Sequence, residues 1–191
     1  MVLLSSRLCV SWILPCTCAS ILQAESFLFD DDLELTVPDG FTVERVAGPP
    51  LVDRPIMADI DDSGRLYVAE SSGSNDNVET QLRDKPHRVL CLEDRDTDGH
   101  YEHRTVFADQ LMLPEGVLCY QGSVYVSAPP VIWKLTDTTG DGLCDLREIW
   151  HDGKTLTGCA NDLHGPYLGR DGWIYWCKGG FAEQTYQRPN E

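Results

Sequence analysis

The chain has 191 residues, with 15 basic against 31 acidic groups, so its formal charge is −16. Binding of nucleic acid phosphates requires a basic surface, so neither duplex nor single-stranded nucleic acid is expected as a partner. Apart from two acidic loops described below, the acidic residues are interpreted as solvated surface charge.

Residues 1–24 are predicted to be a secretory signal peptide. One charge, Arg7, precedes an apolar run, and acidic residues begin abruptly at Glu25. The run is interrupted by Pro15 and is shorter than the roughly 20 apolar residues that a transmembrane helix needs. The protein is therefore expected to be exported, to the periplasm or the cell surface. An uncleaved or lipid-modified anchor is the alternative, and it leaves the domain on the same side of the membrane.

Three copies of one strand pattern predict that the rest of the chain consists of repeated β units. A turn residue and a short apolar run that contains Tyr recur in residues 63–70, 121–128 and 170–177. The two acidic loops described below start 43 residues apart. Repeats of about 40 to 50 residues are typical of propeller blades, each of which has four antiparallel strands. We therefore predict an all-β fold. After a lead-in over residues 25–37, residues 38–191 are expected to form an incomplete β-propeller of two to three blades out of six.

The predicted order within a unit is an opening strand, the Tyr-containing strand, a third strand, an acidic turn and a fourth strand. Residues 72–86 form a polar insertion in the first repeat, and they are rich in turn-forming residues. Such loops often lie at a binding face. Apolar residues nowhere recur at helical spacing for long enough to require a helix after residue 24.

The two acidic loops share the spacing of a calcium-binding loop. One begins at Asp94 and the other at Asp137, and each has oxygen side chains at positions 1, 3, 5 and 9 and Gly at position 6. Position 12, which holds a bidentate carboxylate in a full calcium loop, is Thr105 in the first loop and Glu148 in the second. The expected calcium ligands are Asp94, Asp96, Asp98, Glu102, Asp137, Thr139, Asp141, Asp145 and Glu148. Ordinary Asp-Gly hairpin turns are the alternative.

Removal of the signal peptide leaves an odd number of cysteines, so at least one thiol stays unpaired. They are Cys91, Cys119, Cys144, Cys159 and Cys177. Their spacing matches no zinc site, and the chain has no Cys-x-x-Cys-His, so no haem site is expected here. Several lie in or beside predicted strands, where small buried hydrophobic residues and disulfide partners are both open interpretations.

His164 is the candidate catalytic residue. It precedes an extended run and a Gly-x-Asp-Gly turn at residues 169–172, which places it at the start of a blade's innermost strand. In propellers that strand lines the central channel, where an imidazole can act as general base toward an alcohol. A structural histidine that bonds to neighbouring backbone is the alternative.

Further motifs follow in a fixed order along residues 38–191. They are Gly40-Phe-Thr-Val-Glu-Arg-Val-Ala, the strand from Asp61 to Glu70, Thr105-Val-Phe-Ala-Asp-Gln-Leu and Leu113-Pro-Glu-Gly116. Together with the acidic turns, they resemble the N-terminal propeller of bacterial membrane-bound dehydrogenase proteins. That propeller is distantly similar to the soluble quinoprotein glucose and sorbosone dehydrogenases.

The resemblance implies a module that oxidises a sugar or another alcohol with pyrroloquinoline quinone and calcium. It implies that His164 removes the hydroxyl proton while a hydride passes to the quinone. A full-length protein would continue into helical repeats and a C-terminal haem domain that receives the electrons. The cations that would clamp the quinone belong to later blades. The chain is expected to be a fragment, because a six-bladed propeller needs roughly 250 to 300 residues and an open one exposes strand edges to aggregation. A truncated, open-edged form is the alternative.

A second class of function stays open at this point. The protein could be a calcium-stabilised propeller without chemistry, serving as a scaffold or a glycan-binding unit. Alcohol oxidation that depends on added quinone would distinguish the first function from the second.

Overall fold

The structure is a computed structural model that describes residues 2–6, 24–29, 33–158, 162–181 and 185. Two compact units divide the chain, residues 1–48 and residues 49–191. Strands dominate the described residues, which contain one α-helix, so the all-β prediction is confirmed. Within these ranges, no helix has the length and apolar character needed to cross a membrane.

The first unit contains two antiparallel strand pairs. Strand β1 (Val2–Ser6) pairs with β4 (Phe41–Arg45), and β2 (Ala24–Phe29) pairs with β3 (Leu33–Pro38). The predicted lead-in therefore forms a hairpin. Strand β1 belongs to the segment predicted to be a signal peptide, but most of that segment, residues 7–23, lies outside the described residues. The signal peptide stays a prediction.

The second unit contains two four-stranded antiparallel sheets. Sheet 1 has the order β5 (Pro55–Ile60), β6 (Leu66–Glu70), β7 (His87–Glu93) and β8 (His103–Leu111). Sheet 2 has the order β9 (Gly116–Tyr120), β10 (Ser123–Ala128), β11 (Val131–Thr136) and β12 (Leu146–Asp152). In both sheets, strands that are consecutive in the chain are neighbours in space, as in a propeller blade. The predicted strand order is confirmed in both of these sheets.

A third strand pair follows, in which β13 (Leu163–Leu168) pairs with β14 (Ile174–Lys178). Strand β9 lies against both β5 and β13, so the opening strands of the three sheets are neighbours. Strands β6 and β10 are buried along their whole length, whereas β14 is only partly buried. The difference arises because β14 has a partner on one side only among the described strands. The described sheets are therefore blade-like layers that do not close into a ring.

The main hydrophobic core of the second unit lies between sheets 1 and 2. Its members are buried β-branched, aliphatic and aromatic side chains, among them Tyr67, Val89, Phe107, Leu111, Val124, Val126 and Leu135. The rings of Tyr67 and Phe107 meet edge to face, with their centroids 4.9 Å apart. Residues of these types favour pleated, buried strands, and their packing holds the two sheets together.

The described cysteines form no disulfide with one another. Cys91 is buried in this core, Cys119 and Cys144 pack against it, and Cys177 is exposed. Burial raises the pKa of Cys91 to about 11, so its thiol is protonated and unreactive at neutral pH. For these three packed residues, the structure favours the small-hydrophobe interpretation. Cys159 lies outside the described residues.

The polar insertion between β6 and β7 contains a helix that the sequence pattern did not predict, α1 (Val78–Asp84). Asn77 caps it, because its Oδ1 accepts a hydrogen bond from the amide of Thr80 at 2.9 Å. Lys85 ends the helix in the left-handed conformation, with a φ of 45°. Two turns are too few for an apolar periodicity to be visible, so the capping residue was the available signal.

His87 joins this insertion to β7. The amide of Ser72 donates to its Nδ1 at 3.0 Å, and its Nε2 lies 2.9 Å from Oε1 of Gln81. Because an amide N–H only donates, Nδ1 is unprotonated and Nε2 carries the proton that bonds to Gln81. Burial lowers the pKa of His87 and keeps the ring neutral. The insertion is therefore held in place by a histidine that must not be protonated.

Acidification is expected to destabilise the fold through His87. Its pKa in the folded state lies below the unfolded value of about 6.5, so its contribution to stability is complete above that pH. The contribution is lost as the pH falls through the folded-state pKa. We expect His87→Gln to lower the free energy of unfolding by more at pH 7 than at pH 5, so that the variant and the unmodified protein become more alike in stability as the pH falls.

Urea unfolding at both pH values measures this effect. Burial also lowers the pKa of His151, which contributes in the same direction, so His87→Gln removes only part of the pH dependence. His100→Gln, in an exposed loop, is the matched control and should leave the dependence unchanged. An equally steep dependence in His87→Gln would contradict the role given to His87.

Candidate functional site

Strand direction places the two groups of predicted site residues at opposite ends of the sheets. Each acidic loop joins the third strand of a sheet to the fourth, whereas His164 lies just after the connection that leads into β13. Neighbouring antiparallel strands alternate in direction, so the acidic loops share one end with the first-to-second turns, and the connections into β9 and β13 lie at the other. We call these the acidic-loop end and the histidine end. His164 and the predicted metal ligands therefore do not form one site.

At the histidine end, His164 faces Glu115 across the seam between β13 and β9. Nδ1 of His164 lies 3.8 Å from Oε2 of Glu115. The imidazole is 39% exposed and the carboxyl side chain only 10% exposed. At this distance the two groups attract each other when both are charged, but they are too far apart for a hydrogen bond. The pair presents an accessible base with a buried acid behind it.

A glycine in β9 allows this strand to approach β13 closely. A Cβ on Gly116 would lie 1.7 Å from the carbonyl oxygen of Gly165, so any other residue at this position would push the strands apart. The hydroxyl of Ser127 donates to the same carbonyl oxygen at 2.6 Å. Each glycine is the next residue in the chain after one member of the pair. The backbone contact therefore fixes the positions of Glu115 and His164.

A register shift follows His164 directly. The pairing of β13 with β14 is irregular between His164 and Tyr167, which is the pattern of a β-bulge. Bulges bend a strand and turn its side chains away from the regular alternation, and they are common beside functional sites. The bulge is therefore a second local feature that sets the direction of the imidazole.

Glu115 is an acid in an unfavourable environment. Its Oε2 is buried and accepts no hydrogen bond from the part of the chain that the structure describes. Burial raises the pKa of Glu115 to about 7. The negative charge of Asp162 also raises this pKa, whereas the hydrogen bond from the amide of Leu163 lowers it. An acid with a pKa near neutrality beside an exposed histidine is typical of sites that move protons.

Asp162 and Lys178 hold the connection that leads into β13. The buried carboxylate of Asp162 accepts hydrogen bonds from the amide of Thr157 at 2.5 Å and from its hydroxyl at 3.0 Å. The ammonium of Lys178 donates to the carbonyl oxygens of Gly153 at 3.3 Å and Thr155 at 2.8 Å. Both charged groups are thus engaged in local structure.

The first acidic loop brings three of its four predicted ligands together. Asp94, Asp96 and Glu102 each place one carboxylate oxygen within 4.8 Å of the others. Asp98 instead accepts a hydrogen bond from the amide of His100 at 2.8 Å. Carboxylates this close repel one another, and a divalent cation bound among them would offset that repulsion. Asp94 and Glu102 also accept hydrogen bonds from loop amides, as the acids of an ordinary turn do.

The second acidic loop uses its acids mainly to bind its own backbone. The carboxylate of Asp137 accepts hydrogen bonds from the amides of Thr139, Gly140 and Gly142. Burial acts to raise the pKa of Asp137, but these amides lower it and the net shift is downward. Asp145 accepts from the amide and the hydroxyl of Thr138. Among the acids described in this loop, no three lie as close together as those of the first loop.

The remaining predicted ligands of the second loop are dispersed. The hydroxyl of Thr139 lies 3.4 Å from Oδ1 of Asp137, and Asp141 accepts from the amide of Leu143 at 2.9 Å. Glu148 lies in β12, and its carboxylate is 3.4 Å from the ammonium of Lys134 on the neighbouring strand. Shared spacing in the sequence thus corresponds to two different arrangements of carboxylates.

A pocket of about 210 Å³ also opens at the acidic-loop end, between sheets 1 and 2. Arg65 lies in the wall of this pocket. Its Nε is 2.8 Å from Oδ2 of Asp61, and its Nη1 is 3.8 Å from Oδ2 of Asp137. This guanidinium links the β5–β6 turn of sheet 1 to the second acidic loop. The contact contributes to the cohesion of the two sheets.

These features define an all-β protein of blade-like, four-stranded sheets with an acid–imidazole pair at the start of the strand that opens the third strand pair. Residues 31–191 match the family described as Domain of unknown function (DUF7133), and the chain belongs to this family. No curated protein and no solved structure matches the chain. The resemblance to dehydrogenase propellers has no named relative behind it in these comparisons and stays a prediction.

Glu115 was not predicted as a site residue from the sequence, where it appears only within the Leu113-Pro-Glu-Gly116 motif. The available signal was a Glu-Gly step immediately before an apolar strand, because glycine at the start of a buried strand indicates close approach of another backbone. Its contact with His164 could not be read from the sequence, since the two residues belong to different sheets.

Replacement of Glu115 by glutamine is expected to stabilise the fold at alkaline pH. The raised pKa means that folding favours the protonated carboxyl group over the ionised one. The stabilising contribution of the protonated form is complete below the pKa of the unfolded chain and is lost as the pH rises through about 7. At pH 8.5 the folded protein holds a buried charge that Glu115→Gln removes. We expect a gain of about 1–3 kcal/mol in unfolding free energy, which becomes smaller toward pH 5.

Thermal and urea unfolding of both proteins at pH 8.5 and pH 5 measure this gain. Glu148→Gln is the matched control, because Glu148 is exposed and pairs with a surface lysine, and such pairs contribute little. A variant at position 115 that is less stable than the unmodified protein at pH 8.5 would contradict the assignment of a buried, unfavourable charge.

Proposed function

We propose that the second unit is part of an exported, dehydrogenase-like propeller that oxidises a hydroxyl group of a sugar or another small alcohol. The observation that supports this is the pair formed by His164 and Glu115 at the start of an inner strand. A base that takes a hydroxyl proton needs an accessible nitrogen and a neighbour that stabilises the charge it acquires. The half-exposed imidazole and the buried acid 3.8 Å from it have these properties.

In the proposed reaction, oxidation of an alcohol to a carbonyl removes one proton from oxygen and one hydride from carbon. His164 accepts the proton through its exposed side. The resulting imidazolium lies beside Glu115, and the ionised form of that carboxyl stabilises the new positive charge. Burial of Glu115 strengthens this attraction, because the charges are poorly screened away from water.

The hydride acceptor that the resemblance implies is pyrroloquinoline quinone, which carries carboxylates that require cationic partners. Two cations at the histidine end are already engaged. Lys178 donates to two backbone carbonyls, and Arg88 pairs with the buried carboxylate of Glu70. These two cations are therefore not available to clamp the quinone, and we derive no step through it. A haem domain in a longer protein remains the proposed recipient of the electrons.

Loss of the imidazole is expected to abolish most of the activity. The assay is dye-linked oxidation of a panel of sugars and small alcohols by the full-length protein supplied with pyrroloquinoline quinone. We expect His164→Ala to lower kcat by about 100- to 10,000-fold, the range that general-base catalysis contributes. His100→Ala, at the opposite end of the sheets, is the matched control and should retain full activity.

Two results would speak against the dehydrogenase function. One is the absence of quinone-dependent oxidation with any alcohol in the panel, and the other is a His164→Ala variant that is as active as the unmodified protein. Either outcome would leave the second class of function, a binding or scaffold propeller.

Calcium binding, which both classes of function include, is supported by the first acidic loop. Three carboxylate oxygens of Asp94, Asp96 and Glu102 converge there, and calcium prefers oxygen ligands of this kind. The loop connects β7 to β8, so a bound ion would stabilise the outer hairpin of sheet 1. We propose calcium as a structural ion at this position, compatible with either function.

Calcium is expected to raise the melting temperature, because an ion that binds only the folded state stabilises it by mass action. At a calcium concentration 100 times the Kd, the increase should be about 5–10 °C. Asp96→Asn should reduce it strongly, whereas Asp141→Asn, in the second loop, should reduce it less. Differential scanning fluorimetry with calcium and with a chelator tests this. A melting temperature that responds to neither would identify both loops as ordinary turns.

A further inference from the structure

We propose that Glu115 is a positioning residue that holds the imidazole of His164 in one tautomer, with the proton on Nδ1 and with Nε2 free to accept a proton. The inference rests on the proposed function for the role of Nε2 as the base. The tautomer itself is a property of this protein with or without a substrate, so it can be measured separately.

The geometry determines which ring nitrogen is involved. Nδ1 is the atom that faces Glu115, and the Oε2 atom opposite it is buried without a hydrogen-bond donor in the described structure. Closing the distance from 3.8 Å by about 0.9 Å would give a hydrogen bond of ordinary length. Catalytic hydrogen bonds are often long before a ligand binds and shorten when it does.

The chemistry of the two groups then fixes the position of the proton. An ionised carboxylate has no proton and can only accept a hydrogen bond, so its partner nitrogen must be the donor. The proton of the neutral imidazole is therefore held on Nδ1, and the lone pair is on Nε2. A histidine that acts as a base is oriented in this way by a third group in other catalytic arrangements.

The other charged groups around the pair do not offer this interaction. Asp162 raises the pKa of Glu115 by its charge, but its own carboxylate accepts hydrogen bonds from Thr157. Lys178, which is in register with Leu163, donates to two carbonyl oxygens of the preceding connection. Glu115 is thus the carboxylate of this group that has an acceptor atom left for the imidazole.

The backbone makes the pair rigid enough to select one tautomer. Glu115 comes from sheet 2 and His164 from the third strand pair, and the contact between Gly116 and Gly165 sets their separation. The bond from Ser127 to Gly165 reinforces that contact. A pair held by packed backbone in this way loses little freedom when the hydrogen bond forms.

The test is nitrogen NMR of the full chain with ¹⁵N-labelled histidine at pH 8.5. Because the pKa of Glu115 is about 7, its carboxylate is mainly ionised at this pH. His164→Gln assigns the signals of His164 among the five histidines. We expect the ring of His164 to carry its proton on Nδ1, whereas an imidazole without a partner prefers to carry it on Nε2.

Glu115→Leu removes the acceptor and places an apolar side chain of similar size in the buried position. We expect this variant to lose the Nδ1-protonated form in favour of the Nε2-protonated one. Glu148→Leu, which changes an exposed glutamate at a distance from the pair, should leave the tautomer of His164 unchanged.

A proton on Nε2 in the unmodified protein would overturn the inference, and this result does not depend on whether any variant folds. An unchanged tautomer in Glu115→Leu would overturn it as well. Nδ1 protonation without any alcohol oxidation would support the positioning role while the proposed function fails. Oxidation through His164 with the proton on Nε2 would leave the proposed function standing and this inference refuted.

Discussion

The histidine end depends on the close approach of β9 to β13 through Gly116 and Gly165. A Cβ at position 116 would lie 1.7 Å from a carbonyl oxygen, about half the distance that two such atoms require. Any side chain there would displace one strand by more than an ångström. A displacement of that size is enough to disable a catalytic arrangement. The separation of Glu115 and His164 is thus a consequence of backbone packing between two sheets.

Two histidines of this chain show how surroundings assign different roles to one residue type. His87 is buried, and both ring nitrogens have partners in the insertion that it holds. His164 is partly exposed, and its neighbour is an acid whose buried oxygen has no donor in the described structure. A satisfied buried ring contributes to stability, whereas an acid left without a donor costs about 1–3 kcal/mol. Proteins retain such costs mainly where function requires them.

Sequence patterns predicted the strands because the signals are local. Turn residues followed by short apolar runs identified β6, β10 and β14, and the repeated acidic turns fixed the strand order. The contact between Glu115 and His164 escaped prediction because it joins separate sheets. The ligand spacing was also incomplete information. It is shared by both loops, yet Asp137 binds three backbone amides while Asp94, Asp96 and Glu102 converge.

The separation of the two ends limits what a metal ion could do in this part of the protein. A cation bound by Asp94, Asp96 and Glu102 would lie at the acidic-loop end, a strand length away from the imidazole. Over that distance, and with solvent at both ends of the sheets, its charge would be screened from a ligand at His164. Such an ion could strengthen the outer hairpin of sheet 1, but it could not polarise a hydroxyl group at the histidine end. In the proposed reaction, His164 and Glu115 would therefore handle the proton without help from an ion bound in that loop.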